Sequence, residues 1–156
     1  MTDTLRHTIL DALVTKLSAI TVASGYRHTV TTVEVAARGF DEEAARSLKR
    51  PHIGIIPQEE TFTDHCGQCV SDWRMDLVAH VDCTRTTIGN AEACTNITND
   101  IRYALYEDVS LGVTGVIGCW MVSRIGSEGS PQAAQDGIAT VIITIIVRFE
   151  EAMTMH

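Results

Sequence analysis

A chain of 156 residues fits one domain, since domains run typically about 100–150 residues, and it is long enough to bury a core without staples. Hydrophobic residues at 45% and charged residues at 21% describe a folded chain rather than a disordered one. A net charge of -8 argues against a grip on nucleic acid, which needs clustered Lys and Arg to displace counterions.

At the N-terminus, Leu5, Ile9, Leu13, Leu17 and Ile20 recur at helical steps, with Thr2 or Asp3 as a cap and Gly25 as the stop. Asp3, Arg6, His7, Asp11 and Lys16 break any apolar signal segment, so synthesis and folding in a cytoplasm are expected. Residues 30–36 are β-branched and read as a strand. Residues 39–49 form a connection rich in Glu and Ala. A short strand with Ile53, Ile55 and Ile56 follows, ended by Pro51 and Pro57 or placed at a sheet edge, because proline brings no N–H to a ladder. Residues 58–69 read as a polar loop.

Residues 70–82 alternate most clearly. Trp73, Met75, Leu77, Ala79 and Val81 share one face, and Asp72, Arg74, Asp76, His80 and Asp82 share the other. Residues 90–107 carry a helical stripe of Cys94, Ile97, Ile101, Ala104 and Leu105. Two strands close the chain, residues 116–125 and 138–149, the second apolar on both faces and so placed inside the sheet. A loop is predicted between them, over residues 126–137. The longest apolar run, near residues 138–147, is far shorter than the ~20 residues of a membrane span. The sum is an α+β fold: a single domain over residues 1–156, with a mixed and largely antiparallel sheet of about five strands and two main helices packed on one face.

The sharpest local signal for chemistry is Cys66-Gly67-Gln68-Cys69. A Cys-x-x-Cys turn offers two thiolates to a metal, but zinc wants four ligands and no partner pair follows. Cys83, Cys94 and Cys119 read as small core residues. The histidines show no ligand spacing, and no nucleophile elbow, phosphate loop or metalloprotease helix occurs. Asp72, Asp76 and Asp82 line one strand face with Arg74 and His80 among them, which reads as a solvated or subunit-facing surface. No enzyme, cofactor or metal is expected.

Several pieces in order carry a resemblance. They are the helix over residues 5–20, Gly25-Tyr26-Arg27, and the strand Pro51-His52-Ile53-Gly54-Ile55 with a long hydrophilic hairpin after it. The strand from Trp73 to Val81 follows, then the helix over residues 97–105 with Asp108 and Leu111-Gly112, and Asp136-Gly137-Ile138 leading into the last strand. This order resembles the tail terminator, or tail completion, proteins of long-tailed bacteriophages. The cysteine-bearing loop and the Ala-rich residues 42–47 depart from that pattern.

The resemblance implies a structural virion protein at the junction of tail and neck, assembled in the host cytoplasm. It implies a homo-oligomeric ring, a hexamer, that caps the tail tube protein, ends tube polymerisation and offers a surface to the head-side connector. DNA would pass through the lumen without specific binding, and the acidic balance would repel its phosphates. No membrane is involved. Interface residues are expected on the polar segments and the polar strand face: Glu59, Phe62, Asp64, Asp72, Arg74, Asp76, Ser127, Glu128 and Pro131. The rival readings are another head–tail joining protein of the neck, or a metal- or thiol-binding module centred on Cys66 and Cys69.

Overall fold

The computed structural model describes residues 4–35, 49–65 and 67–152. The chain runs α1 (Thr4–Ser18), a 3-10 turn (Val22–Ser24), β1 (Thr32–Val35), β2 (His52–His65), β3 (Gln68–Asp82), α2 (Thr87–Tyr106), β4 (Val116–Gly126), α3 (Pro131–Asp136) and β5 (Ile138–Ala152). Among the described residues five strands form one sheet in the order β1-β2-β3-β5-β4. β1 runs parallel to β2, and every other neighbouring pair is antiparallel. The α+β class, the mixed sheet and its five strands agree with the sequence reading.

The alternation of β3 does what it predicts. Trp73, Met75, Leu77, Ala79 and Val81 are buried, and the register sets them beside Val147, Ile145, Ile143, Val141 and Ala139 of β5. Ile9, Leu13 and Leu17 of α1, Ile20 beyond it, and Cys94, Ile97, Ile101 and Leu105 of α2 cover that face in one core cluster. Trp73 meets Phe149 edge-on, with centroids 6.3 Å apart, and its indole N–H donates to the Gln58 carbonyl at 3.2 Å. Cys94 and Cys119 are buried, and half-buried Cys83 packs against the same core.

Three readings from the sequence differ. α1 ends at Ser18, and Gly25 instead closes the 3-10 turn, where its φ of +96° favours a residue without a Cβ. The proposed cap, Thr2 or Asp3, lies outside the described residues, as do Cys66 and the Ala-rich residues 42–47. β2 does not stop at Pro57 but continues to His65, so residues 58–65 and 68–69 are the arms of a hairpin and not a loop. Pro57 is tolerated because the register shifts between it and Glu60, and because among the described residues β1 covers β2 as far as Ile55. Finally, residues 126–137 contain a short helix. Ser130 accepts the Ala133 N–H as its cap, Pro131 opens it, and Gly137 ends it at φ +72°.

Candidate interaction surface

The nine residues singled out by sequence fall into three groups. Glu59, Phe62 and Asp64 stand on the distal arm of β2, all exposed, with Phe62 57% accessible. Arg74, on β3, reaches within 3.9 Å of Glu59. The base of this hairpin is fixed from the helix side. Arg6 of α1 donates to Glu60 at 2.8 Å and to Glu151 of β5 at 3.2 Å, while its guanidinium lies 5.1 Å from the Phe149 ring centroid. These bonds and the β2–β3 ladder turn an apparently floppy polar stretch into an arm held at a set angle. Asp64 also faces Cys69. Its hydrogen bond is the main cause that raises the Cys69 thiol above the ordinary range, which favours the protonated form over a reactive or metal-binding thiolate.

The second group lies on the sheet face away from the helices, tied across strands. Asp72 accepts from Arg148 Nε at 2.7 Å and Nη2 at 2.9 Å, and that bond holds its carboxyl below the usual range. Arg148 in turn lies over the Trp120 ring, 5.3 Å from its centroid. Asp76 accepts from the Thr144 hydroxyl at 2.7 Å and from Gln58 Nε2 at 3.2 Å. The row of acids on β3 is thus knitted to β5 and β2.

Ser127, Glu128 and Pro131 form the third group, in the β4–β5 connection. The Ser127 hydroxyl donates to Asn90 Oδ1 and accepts the Thr140 N–H, each at 3.0 Å. Asn90 donates to the Ile138 carbonyl at 3.3 Å, so this network pins the start of α2 to the start of β5. Glu128 pairs with Arg124, and Pro131 is exposed. This connection lies at one end of β5 and the hairpin tip at the other, since Asp82 opposes Ile138 and Gln68 opposes Ala152. Over the 15 residues of β5 that is roughly 45 Å. The nine residues therefore make two separate surfaces with a tied face between them.

Sequence reasoning missed two histidine arrangements. Asp100 is buried on α2 and accepts from the N–H groups of Arg27 and His28, at 3.2 and 3.0 Å, and from His28 Nδ1 at 2.8 Å. This ties the segment between α1 and β1 to the helix layer. Beside it runs a groove of about 790 Å³ whose walls include Tyr26, Arg27, Tyr103, Tyr106 and Glu107, so all three tyrosines of the chain meet there. At the end of the sheet near β1, buried His52 and His80 oppose each other across β2 and β3, with ring centroids 6.3 Å apart. His52 Nε2 lies 3.0 Å from Glu34, and His80 Nδ1 lies 3.0 Å from the Thr140 hydroxyl. Burial, then the charges of His52 and Arg50, pushes His80 down to about 4. None of these partners is near in sequence, so no local spacing could reveal them.

Among the described residues no group of three or more His, Cys, Asp or Glu stands placed to hold a metal ion. No helix among them is long and apolar enough to cross a membrane.

No family model matches the chain. No curated protein matches it either. Among solved structures it is similar to a chain of the virion of a native gene transfer agent (GTA) particle, at 14% identity and a TM-score of 0.49, covering 96% of this chain and 100% of that one.

Proposed function

We propose that the chain is a structural virion protein, a ring subunit that caps a phage tail tube, ends its polymerisation and presents the head-side connector with a docking surface. The observation that carries this reading is the order of elements, which resembles that of tail terminators, with the strand at residues 51–55 running on into a long hydrophilic hairpin. Two features of the geometry support it. A cap between two partners needs two faces, and the exposed residues fall at opposite ends of β5, roughly 45 Å apart. Its contact arm must also keep its angle, and Arg6 holds the hairpin base to both Glu60 and Glu151.

In this reading Glu59, Phe62, Asp64 and Arg74 meet the tube or a neighbouring subunit, and Glu128 and Pro131 meet the connector. Copies of the chain close a ring, a hexamer, through head-to-tail contacts. The acidic excess, -8 over the chain, lines the lumen and keeps the passing DNA from sticking.

The test is electron microscopy of purified tail tubes incubated with the protein, together with a tube-protein polymerisation assay. A density at one end of each tube, and tubes that stop growing when it is added, are expected. Binding to filled heads alone would make the chain another neck component, and binding to neither would overturn the proposal.

A further inference from the structure

β4 closes one side of the sheet, and its register against β5 slips twice. Val116 opposes Phe149 and Gly118 opposes Arg148, so Ile117 is an extra residue; Met121 opposes Ile145 and Ser123 opposes Thr144, so Val122 is another. Bulges usually blunt a sheet edge, and polar residues serve that purpose best. Here both extra residues are β-branched and aliphatic, 51% and 46% exposed, and Ile125 further along is 70% exposed. Two arginines flank this strip. Arg124 of β4 bonds Thr98 of α2 at 2.9 Å as well as Glu128, and exposed Arg102 stands one helical turn beyond Thr98.

The opposite side of the sheet has the complementary character. Among the described residues β1 pairs with β2 from His52 to Ile55. Further out, β2 exposes Phe62 between Glu59 and Asp64. One edge is thus aliphatic, with exposed Arg102 and with Arg124 paired to Glu128, and the other is aromatic, with exposed Asp64 and with Glu59 beside Arg74.

We infer that the β4 edge of one copy packs against the distal arm of β2 of a second copy, with Phe62 among Ile117, Val122 and Ile125, and with Asp64 toward Arg102 and the Arg124–Glu128 pair. The two patches differ, so each copy uses one and offers the other, which is a heterologous contact that repeats around a ring. The charges set the register and disfavour the mirror pairing of like edges. The inference rests on the ring reading above and names the surfaces that build the ring; the tube then meets the ring at the hairpin tips and Arg74.

Two blocked variants of the full chain test it by native mass spectrometry at high micromolar concentration, with circular dichroism as the folding control. Ile117→Lys with Val122→Lys blocks one patch, and Phe62→Lys blocks the other; all three sites are exposed, so both variants keep the wild-type spectrum. The wild type assembles, and each variant alone is monomeric, its self-association weakened at least about 100-fold by lysines forced into an apolar contact. Mixed in equal amounts they form a one-to-one dimer and nothing larger, because each supplies one intact patch. Variants that assemble like the wild type overturn this contact while leaving the ring reading to the tube assay. A homodimer of one variant, or a mixture that stays monomeric, overturns the head-to-tail arrangement. A wild type that is monomeric alone also overturns the contact, and its capping of tubes is then scored separately.

Discussion

The two halves of β3 live in different surroundings. From Trp73 to Val81 it is backed by α1 and α2, and its inward side chains are buried to the last methyl. From Gln68 to Asp72 it runs beyond the helices, paired with β2 and β5 but carrying mostly exposed or half-exposed side chains. The inner half is specified by hydrophobic burial, and the outer half by backbone pairing and a few ion pairs. A change in the inner half should therefore cost the fold, and a change in the outer half should cost it little.

The largest expected effect is in the inner half. Leu77→Ala removes a fully buried side chain and should cost about 3 kcal/mol in denaturant unfolding. A loss under 1 kcal/mol would mean that this half is not the anchor. Asp100→Ala should follow, at roughly 2–3 kcal/mol, because it strands two N–H groups and the His28 ring at once. Amide exchange at Arg27 and His28 should rise with it.

Acid sharpens the comparison further. His80 is held neutral down to about pH 4, whereas in the unfolded chain it takes its proton near the ordinary 6.5. The unfolded state thus binds more protons across that window. Stability should be flat above about pH 7 and fall by roughly 2 kcal/mol from about pH 6.5 to pH 4. Melting curves of wild type and His80→Gln should differ in slope there, and parallel curves would remove His80 from the account.

Effects in the outer half should be small. Asp72→Asn loosens a partly exposed pair with Arg148 and should cost under about 1 kcal/mol, less in high salt. Cys66→Ser with Cys69→Ser should leave the melting temperature unchanged within about 0.5 kcal/mol of stability. A large loss that added zinc reverses only in the wild type would instead favour the metal module.

This division also explains what could be read from the sequence. β3 and α2 were legible because their apolar residues recur at 2 and at 3.6, and burial follows those periods. The distal arm of β2 was not, because Gln58 to Asp64 buries little and is a strand through its pairing with β3. The short helix α3 had a readable signal, Ser130-Pro131 before it and Gly137 after it, which the run of polar residues concealed. Of the nine surface residues, composition could say that they are polar and outside the core. It could not say that β5 sets Phe62 and Pro131 at opposite ends, nor that Ser127 spends its hydroxyl on Asn90. The pairs His28–Asp100 and His52–His80 exist through packing and register, which no window of neighbouring residues contains.

The place of β5 in the sheet bears on the order in which a ribosome delivers the parts. Of the strands described it emerges last, yet it lies between β3 and β4 and pairs with both along most of its length. Until it arrives, β4 has no neighbour in the sheet, and α2 has no Ile143, Ile145 or Val147 to rest on. Completion of the sheet must therefore wait for β5. A chain broken off before β5 would leave β4 unpaired and the faces of α1 and α2 without the side chains that cover them, so it would lack most of the core.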